Sequence, residues 1–454
     1  MSDPIAAVAT PASPSAIGIL RLSGDGVISM VERVFRPLSG SPIGERPDRR
    51  LVYGALLDKY GQPIDQVLAT VSRAPHSYTG EDTAELQCHG SPAVLAQALE
   101  ALFAQGARQA LPGEFTKRAF LNGRMDLAQA EAVIDLIDAE TAEGARNAYG
   151  QLSGALSRRV AAVYDALVDV MAHFHAVLDY PDEDIDPFTA DGLRAALETQ
   201  RAVLRALLDT YDRGSALTEG IPCAIVGQPN VGKSSLLNAL LGYERAIVTD
   251  VAGTTRDTLE ERIRLGGVLL RLCDTAGLRE TGDAVERLGV ERARQSMEGA
   301  RLILVLLDAS QPACEEDFAL LRQAMALAPT ILVRSKSDLP SAPVPCVTME
   351  LPPAVAVSAK TGDGLEQLEA QIAALFPQGS DEVGSLLTNA RQAEATKRAL
   401  ERIEAAQTGL TDGCTPDAVL TDVEEALSAL GELTGRTVRA DITDRIFSRF
   451  CVGK

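Results

Sequence analysis

One stretch constrains this chain more than any other. Gly227-Gln-Pro-Asn230-Val231-Gly232-Lys233-Ser234 fits GxxxxGK[ST] without a gap. The apolar run from Ile221 to Val226 leads into it, and Ser235-Leu-Leu-Asn-Ala-Leu follows at helical spacing. Strand, glycine loop and helix in that order are the context the motif needs. Backbone N–H groups of such a loop cradle phosphates at a helix N-terminus, where the dipole favours negative charge. Lys233 then reaches the β- and γ-phosphates, and Ser234 holds Mg²⁺.

Further motifs follow in order. Asp274-Thr275-Ala276-Gly277 ends the apolar run Val268 to Cys273 and begins 47 residues after Gly227. A carboxylate at a strand end can hold the magnesium shell, and Gly277 can offer its N–H to a γ-phosphate. Ile331-Leu-Val-Arg-Ser335-Lys336-Ser337-Asp338 and Ala354-Val-Ala-Val-Ser358-Ala359-Lys360 supply two more strand ends with polar residues. Between the loop and DxxG lies a switch-like segment carrying Thr249, Asp250, Val251, Ala252, Gly253, Thr254 and Thr255. This is the motif order of a GTPase. Asp338 can accept from guanine N1–H and its exocyclic amine, whereas adenine N1 is itself an acceptor, so the expected nucleotide is GTP. The usual base motif is NKxD, and Ser335 stands in place of its Asn. Leu278 stands where Ras-type GTPases carry a water-orienting Gln, so a polar catalytic group must come from elsewhere or turnover is very slow.

The whole chain sets wider bounds. Its 454 residues suggest about three domains. A net charge of -20 disfavours stand-alone binding to RNA phosphates or anionic membrane. No uninterrupted apolar run approaches the ~18 residues of a membrane span, and Ile5-Ala-Ala-Val-Ala lacks a basic leader. Seven cysteines are scattered with no CxxC, which indicates neither zinc ribbon nor disulfide framework. The chain is therefore expected in the reducing cytoplasm. Asp182, Asp184 and Asp186 alternate, but Pro187 follows where a calcium loop needs Gly, so a solvated acidic loop is expected.

Pattern divides the chain into four stretches. Residues 1–118 read as α/β, with strands at Ile17–Leu22, Val67–Val71 and Ala84–Cys88. Residues 119–216 read as Ala-rich helix, with a 3.6 period through Leu127–Ile137 and Val160–Leu178 and another helix over Leu193–Tyr211. Alternating strands and helices occupy 217–378. Helix returns over 379–454, where Leu420, Val423, Leu427 and Leu430 share a face. The expected fold is multidomain, with an N-terminal α/β domain and a helical domain interrupted by a Ras-like phosphate-loop domain.

Outside the nucleotide motifs, Ile17-Gly-Ile-Leu-Arg21-Leu-Ser-Gly, Ser77-Tyr-Thr-Gly-Glu-Asp-Thr-Ala-Glu85, Pro112 to Arg124 and the ending Phe450-Cys451-Val-Gly-Lys454 resemble the tRNA-modification GTPases MnmE, also called TrmE. The resemblance covers essentially the whole chain. It implies an N-terminal domain that forms a homodimer and binds a folate one-carbon carrier, 5-formyltetrahydrofolate or methylenetetrahydrofolate, through Arg21, Glu85, Arg124 and Lys454. The family often has Lys where Arg124 stands. The resemblance assigns Mg²⁺ to Ser234 and Thr255, and K⁺ to Asn230, Thr249, Val251 and Thr254. It makes Glu286 the carboxylate that activates water. It implies a flavoprotein partner, MnmG or GidA, in a heterotetramer that modifies the C5 position of wobble uridine and supplies most of the tRNA contact.

Two other readings compete. A ribosome-assembly or regulatory GTPase shares the phosphate-loop and switch pattern, but commonly adds an RNA-reading module, and the chain has no GXXG clamp or basic–aromatic patch. A folate enzyme with merely regulatory GTP is the third. Cys451 is either a thiol near the folate pocket or a packed structural cysteine. Its Cys-Val-Gly-Lys context is a poor prenylation box, since Gly is not aliphatic.

Overall fold

The structure is a computed structural model that describes residues 2–179, 189–245, 261–272, 294–343, 351–376, 383–437, 440–448 and 450–453. It separates into two compact units. The first comprises Met1–Ile134, Gln151–Leu204 and Ala395–Lys454; the second comprises Asp135–Gly150 and Arg205–Glu394. The mixed α/β and helical character expected from the sequence is present.

The first unit holds a seven-stranded sheet in the order β3-β4-β5-β6-β2-β1-β7. Its strands are β1 Ile5–Val8, β2 Ser15–Ser23, β3 Phe35–Pro37, β4 Val52–Leu57, β5 Pro63–Ser72, β6 Thr83–Gly90 and β7 Arg108–Gln109. All neighbours are antiparallel except β1 and β7. Helices α1 Val27–Val34 and α2 Pro92–Ala104 bury Val27, Val31, Leu95, Ala98 and Leu102 against Leu20, Leu22, Leu86 and Cys88. Period-2 alternation along β2 and β6 sends those leucines inward. It therefore turns Arg21 and Glu85, which face each other in register, to the opposite surface.

Helices α3 Glu114–Leu121, α4 Leu127–Ile137, α5 Ala142–Leu152, α6 Ala155–Asp179, α7 Ala190–Leu208 and α8 Tyr211–Thr218 follow. The sequence suggested one helix through Tyr211, but α7 stops at Leu208. There Thr210 Oγ1 donates to the Leu207 carbonyl at 2.6 Å, and such a side-chain bond competes with the helix ladder. Residues 155–177 of α6 form the single described helix long and apolar enough to cross a membrane by length and composition, with mean hydropathy 1.3 in its most apolar window. Asp165 and Asp169 interrupt it.

The second unit holds a six-stranded sheet in the order β13-β12-β11-β8-β10-β9. The strands are β8 Ile221–Gly227, β9 Glu261–Leu265, β10 Val268–Leu272, β11 Leu302–Asp308, β12 Thr330–Ser335 and β13 Ala354–Ala356. Only β9 and β10 pair antiparallel. Helices α9 Lys233–Arg245, α10 Glu315–Leu327 and α11 Leu365–Leu375 cover it. Leu236, Leu240, Leu368 and Ile372 pack on one core, and Met297, Leu321 and Ala324 on the other. Being covered on both faces explains why β8 and β11 read as unbroken apolar runs.

Helix α12, Ala390–Thr411, leads to α13 Pro416–Thr434 and α14 Ala440–Phe447. On α13, Leu420, Val423 and Leu430 are buried and Leu427 is half-buried. Just before α12, segment 383–389 is clasped within the second unit. Gly384 N–H donates to Asn147 Oδ1 at 3.2 Å, Leu387 N–H to Thr210 Oγ1 at 3.1 Å, and Thr218 Oγ1 to the Thr388 carbonyl at 3.1 Å. Gly150 and Gly214 make the close approach: a Cβ at Gly150 would lie 2.5 Å from the Val383 carbonyl oxygen, and one at Gly214 would fall on that of Leu387. Gly214→Ala is therefore expected to cost about 1–3 kcal/mol by overpacking and to lower the melting temperature by several degrees. An unshifted thermal transition would show that the segment yields freely.

Candidate nucleotide site and N-terminal pocket

The phosphate loop begins where β8 ends. Gly227 has φ +157° and lies against β11: a Cβ there would sit 2.6 Å from the Leu306 carbonyl oxygen. Asn230 has φ +63° and Gly232 φ +101°, so two left-handed positions turn the loop before α9 starts. Asn is among the few residues with a side chain that tolerate this region. Lys233 Nζ donates to the Gly227 and Gln228 carbonyls, each at 2.9 Å. Burial holds its pKa below the ordinary 10.5. Val231 is buried, Ser234 half-buried and Ser235 exposed.

Parallel pairing carries the later motifs to the same sheet edge. Leu306 pairs with Gly227, Asp308 with Ser335, and Arg334 with Ala356. Ser335 is 7% exposed, and its hydroxyl donates to the Val231 carbonyl at 2.5 Å and the Leu307 carbonyl at 3.1 Å. Lys336, at φ +56°, places Nζ 2.7 Å from Asp308 Oδ2. Burial raises the Asp308 carboxyl, but its bonds to Lys336 and Ser310 outweigh that and hold it below the usual range. Exposed Asp338 accepts from the buried Ser358 hydroxyl at 2.9 Å. Ser337 N–H reaches the Val357 carbonyl at 3.3 Å. Ala359 is half-buried and Lys360 exposed. The edge thus presents a cationic loop and an exposed carboxylate held by a second strand end, a pairing suited to a phosphate-bearing ligand whose other end donates hydrogen bonds.

Several expected residues lie outside the described ones: Thr249, Asp250, Val251, Ala252, Gly253, Thr254 and Thr255; Asp274, Thr275, Ala276, Gly277 and Leu278; Glu286; Lys454; and the acidic loop 182–186. Among the described residues no cluster of three or more His, Cys, Asp or Glu could hold a metal. Ser234 and Asn230 are the described members of the expected cation sets. A hydroxyl and an amide oxygen fit hard cations.

In the first unit, Arg21 Nε donates to Glu85 Oε1 at 2.9 Å and Nη1 to the Gly453 carbonyl at 3.2 Å. Its guanidinium lies 5.8 Å from the Tyr78 ring centroid and 5.9 Å from that of Phe115. The tail is held beside it. Pro112 and Val452 form an antiparallel bridge, and Gly113 N–H reaches the Cys451 carbonyl at 3.3 Å. Gly113 has φ +64°, and a Cβ there would lie 2.5 Å from the Phe447 carbonyl oxygen. Exposed Arg124 passes its stem near Gly80, where a Cβ would lie 3.3 Å from Arg124 Cγ. Arg21, Glu85 and the tail therefore meet, with Arg124 on the neighbouring turn. Cys451 is exposed rather than packed.

The model described as "MnmE helical domain" matches residues 127–451, and that described as "GTP-binding protein TrmE N-terminus" matches residues 4–124. Relatives named tRNA modification GTPase MnmE align over this whole chain. That of Chloroflexus aurantiacus is 46% identical and covered over its full length. Those of Symbiobacterium thermophilum and Geobacillus kaustophilus are 44% and 42% identical, each covered over 99% of its length. The chain belongs to the MnmE family. A solved structure of Era with MgGDPNP and a 16S ribosomal RNA segment is 28% identical over 40% of this chain and 65% of its own. Its TM-score to this chain is 0.26.

In this MnmE-family chain, segment 77–82 is built on a buried ionic network that sequence reasoning did not assign. Arg118 Nη1 reaches Glu81 Oε2 at 3.0 Å, and Nη2 reaches Glu114 Oε1 at 3.0 Å and Asp3 Oδ1 at 2.9 Å. Ser23 Oγ donates to Glu81 Oε2 at 2.7 Å, and Asn122 Nδ2 to the Thr79 carbonyl at 2.8 Å. Glu81 and Thr79 lie in the Ser77–Glu85 segment, and Glu114, Arg118 and Asn122 in the Pro112–Arg124 segment; both helped carry the family resemblance, but charge alone does not reveal which acids meet Arg118. Burial raises the Glu114 carboxyl, yet Arg108, the Leu111 N–H and Arg118 pull it below its ordinary 4.5. A depressed carboxyl stabilises the fold fully above that value and loses the contribution as pH falls through its folded pKa. Arg118→Met should therefore destabilise by about 3 kcal/mol near neutrality, with the difference from wild type shrinking below pH 4.5. Thermal melts across pH measure this; a constant difference would remove the electrostatic account.

Proposed function

We propose that this protein is a K⁺-activated GTP hydrolase that takes part in wobble-uridine modification of tRNA, together with a flavoprotein partner and a folate one-carbon donor. The observation that carries the reading is the convergence of Lys233, Lys336, Asp338 and Ser358 at one edge of a parallel sheet, in a chain whose family is named for tRNA modification GTPases.

Lys233 and the N–H groups of the loop bind the phosphates, while Asp338, oriented by Ser358, reads the guanine edge. Lys336, Ser337, Ala359 and Lys360 frame the base. Ser234 and Thr255 hold Mg²⁺, and Asn230, Thr249, Val251 and Thr254 hold K⁺. Bound there, the two cations neutralise charge developing on the transferring phosphoryl group. Asp274 and Gly277 sense the γ-phosphate, and Glu286 orients the attacking water that Leu278 cannot.

The folate site joins Arg21, Glu85, Arg124 and Lys454. Its support is the tail, whose Gly453 carbonyl accepts from Arg21. When bound, the folate supplies the one-carbon unit for uridine C5. Arg124 suits a glutamate carboxylate, and Tyr78 offers an aromatic face.

The homodimer reading is supported by cross-strand partners Tyr53 and Leu68, both exposed on the sheet with Leu51 nearby. The partner MnmG, in a heterotetramer, supplies the basic tRNA surface that a chain of net charge -20 lacks. A cytoplasmic setting is supported by Cys88, Cys314, Cys414 and Cys451, which are free thiols among the described residues. Segments 119–216 and 379–454 form one helical domain interrupted by 217–378. The shared packing of Leu127, Val133 and Phe447 supports this arrangement.

Two measurements test the reading. GTP turnover should rise at least several-fold when K⁺ replaces Na⁺ at equal ionic strength, and Asn230→Ala should abolish that rise while Mg²⁺-dependent nucleotide binding remains measurable; equal rates in wild type would remove the cation role. Deleting Val452–Lys454 should weaken 5-formyltetrahydrofolate binding by about tenfold, the loss of one or more charge-assisted contacts, and leave GTP hydrolysis intact. Unchanged folate affinity in the folded truncation would separate the tail from the pocket.

A further inference from the structure

Ser335 departs from the residue expected at the head of the base motif, and its surroundings give it a different task. It ends β12, is 7% exposed, and directs its hydroxyl at two carbonyls, Val231 at 2.5 Å and Leu307 at 3.1 Å. A serine hydroxyl carries one proton. Both carbonyls compete for it, so none is left for N7 or O6 of a purine, which are themselves acceptors. The side chain that would read a base is spent on the protein.

The Val231 carbonyl belongs to the peptide that enters Gly232. Because a trans peptide is planar, its C=O and the following N–H point in opposite directions. Fixing the Val231 oxygen on β12 therefore turns the Gly232 N–H away from the strand. Gly232 sits at φ +101°, directly before α9, whose first turn supplies the other N–H groups open to an anion. Gly232 lies beside this side chain: a Cβ on it would sit in ordinary van der Waals contact, 3.9 Å from both Cβ and Oγ of Ser335. The same hydroxyl touches β11 through Leu307, so one side chain ties the phosphate loop to two neighbouring strands.

We propose that Ser335 is a positioning residue of the phosphate loop, fixing the Val231–Gly232 peptide so that the Gly232 N–H faces the nucleotide phosphates, and that it takes no part in reading the base. Base selection then falls on Asp338, which the Ser358 hydroxyl holds at 2.9 Å. This deepens the GTP reading above and rests on it.

Titration calorimetry of the full-length protein with Mg²⁺ and either GDP or 7-deaza-GDP tests the assignment, because the second ligand lacks only the N7 acceptor. Ser335→Ala should weaken both ligands by the same factor, about five- to tenfold for one lost internal hydrogen bond. Ser335→Thr, which keeps the hydroxyl, should restore both. Where alanine lowers the melting temperature, Ser335→Cys, close in shape but a weak donor, gives the same comparison. A loss confined to GDP would make Ser335 a base reader, and no loss for either ligand would make the tether dispensable; both overturn the proposal. Wild-type affinity no greater for GDP than for ADP would instead count against the guanine site itself.

Discussion

Parallel hydrogen-bond register is the constraint on which the second unit depends. Gly227 lies level with Leu306, Asp308 with Ser335, and Arg334 with Ala356. Because these strands run the same way, every loop that leaves their C-terminal ends emerges at one edge. Residues more than a hundred positions apart then share a site, as ligands in open α/β sheets generally do. A slip of one residue between β11 and β12 would turn the side chain of Ser335 to the opposite face of the sheet. Full burial of Leu304, Val305 and Leu306 makes such a slip expensive.

The first unit relies on alternation rather than parallel register. Leu20 and Leu22 must face α2, so Arg21 must face away, and antiparallel pairing sets Glu85 directly opposite. The surface so made is closed by the tail, which packs Phe447 and Phe450 against Leu127, Ala130 and Val133. In the second unit, an open cavity of about 570 Å³ lies beside Met325, Thr330 and Pro352. It lies at the start of β12, the opposite end from Ser335.

Much of the site was legible in the chain because its chemistry is local. The glycine spacing of Gly227 to Ser234, the apolar run before it and the helical run after it each follow from short-range sterics. The strand ending at Ser335 was readable because burial on both faces leaves an unbroken apolar signature. The end of α7 was not readable, since it turns on whether Thr210 bonds the chain behind it or continues the helix. Nor was the partner of Lys336, because Asp308 lies 28 residues away and nothing in either neighbourhood names the other.

The sequence by itself determined the phosphate loop, the order of strand and helix, and the family. Each depends on residue type at fixed spacing. Only the tertiary structure decided that Arg118 gathers three carboxylates, that Arg21 donates to the Gly453 carbonyl, and that the Ser335 hydroxyl bonds the Val231 carbonyl 104 positions away. Such contacts depend on where distant strands stop and which way each side chain alternates. Those are properties of pairing between segments, and no single segment contains them.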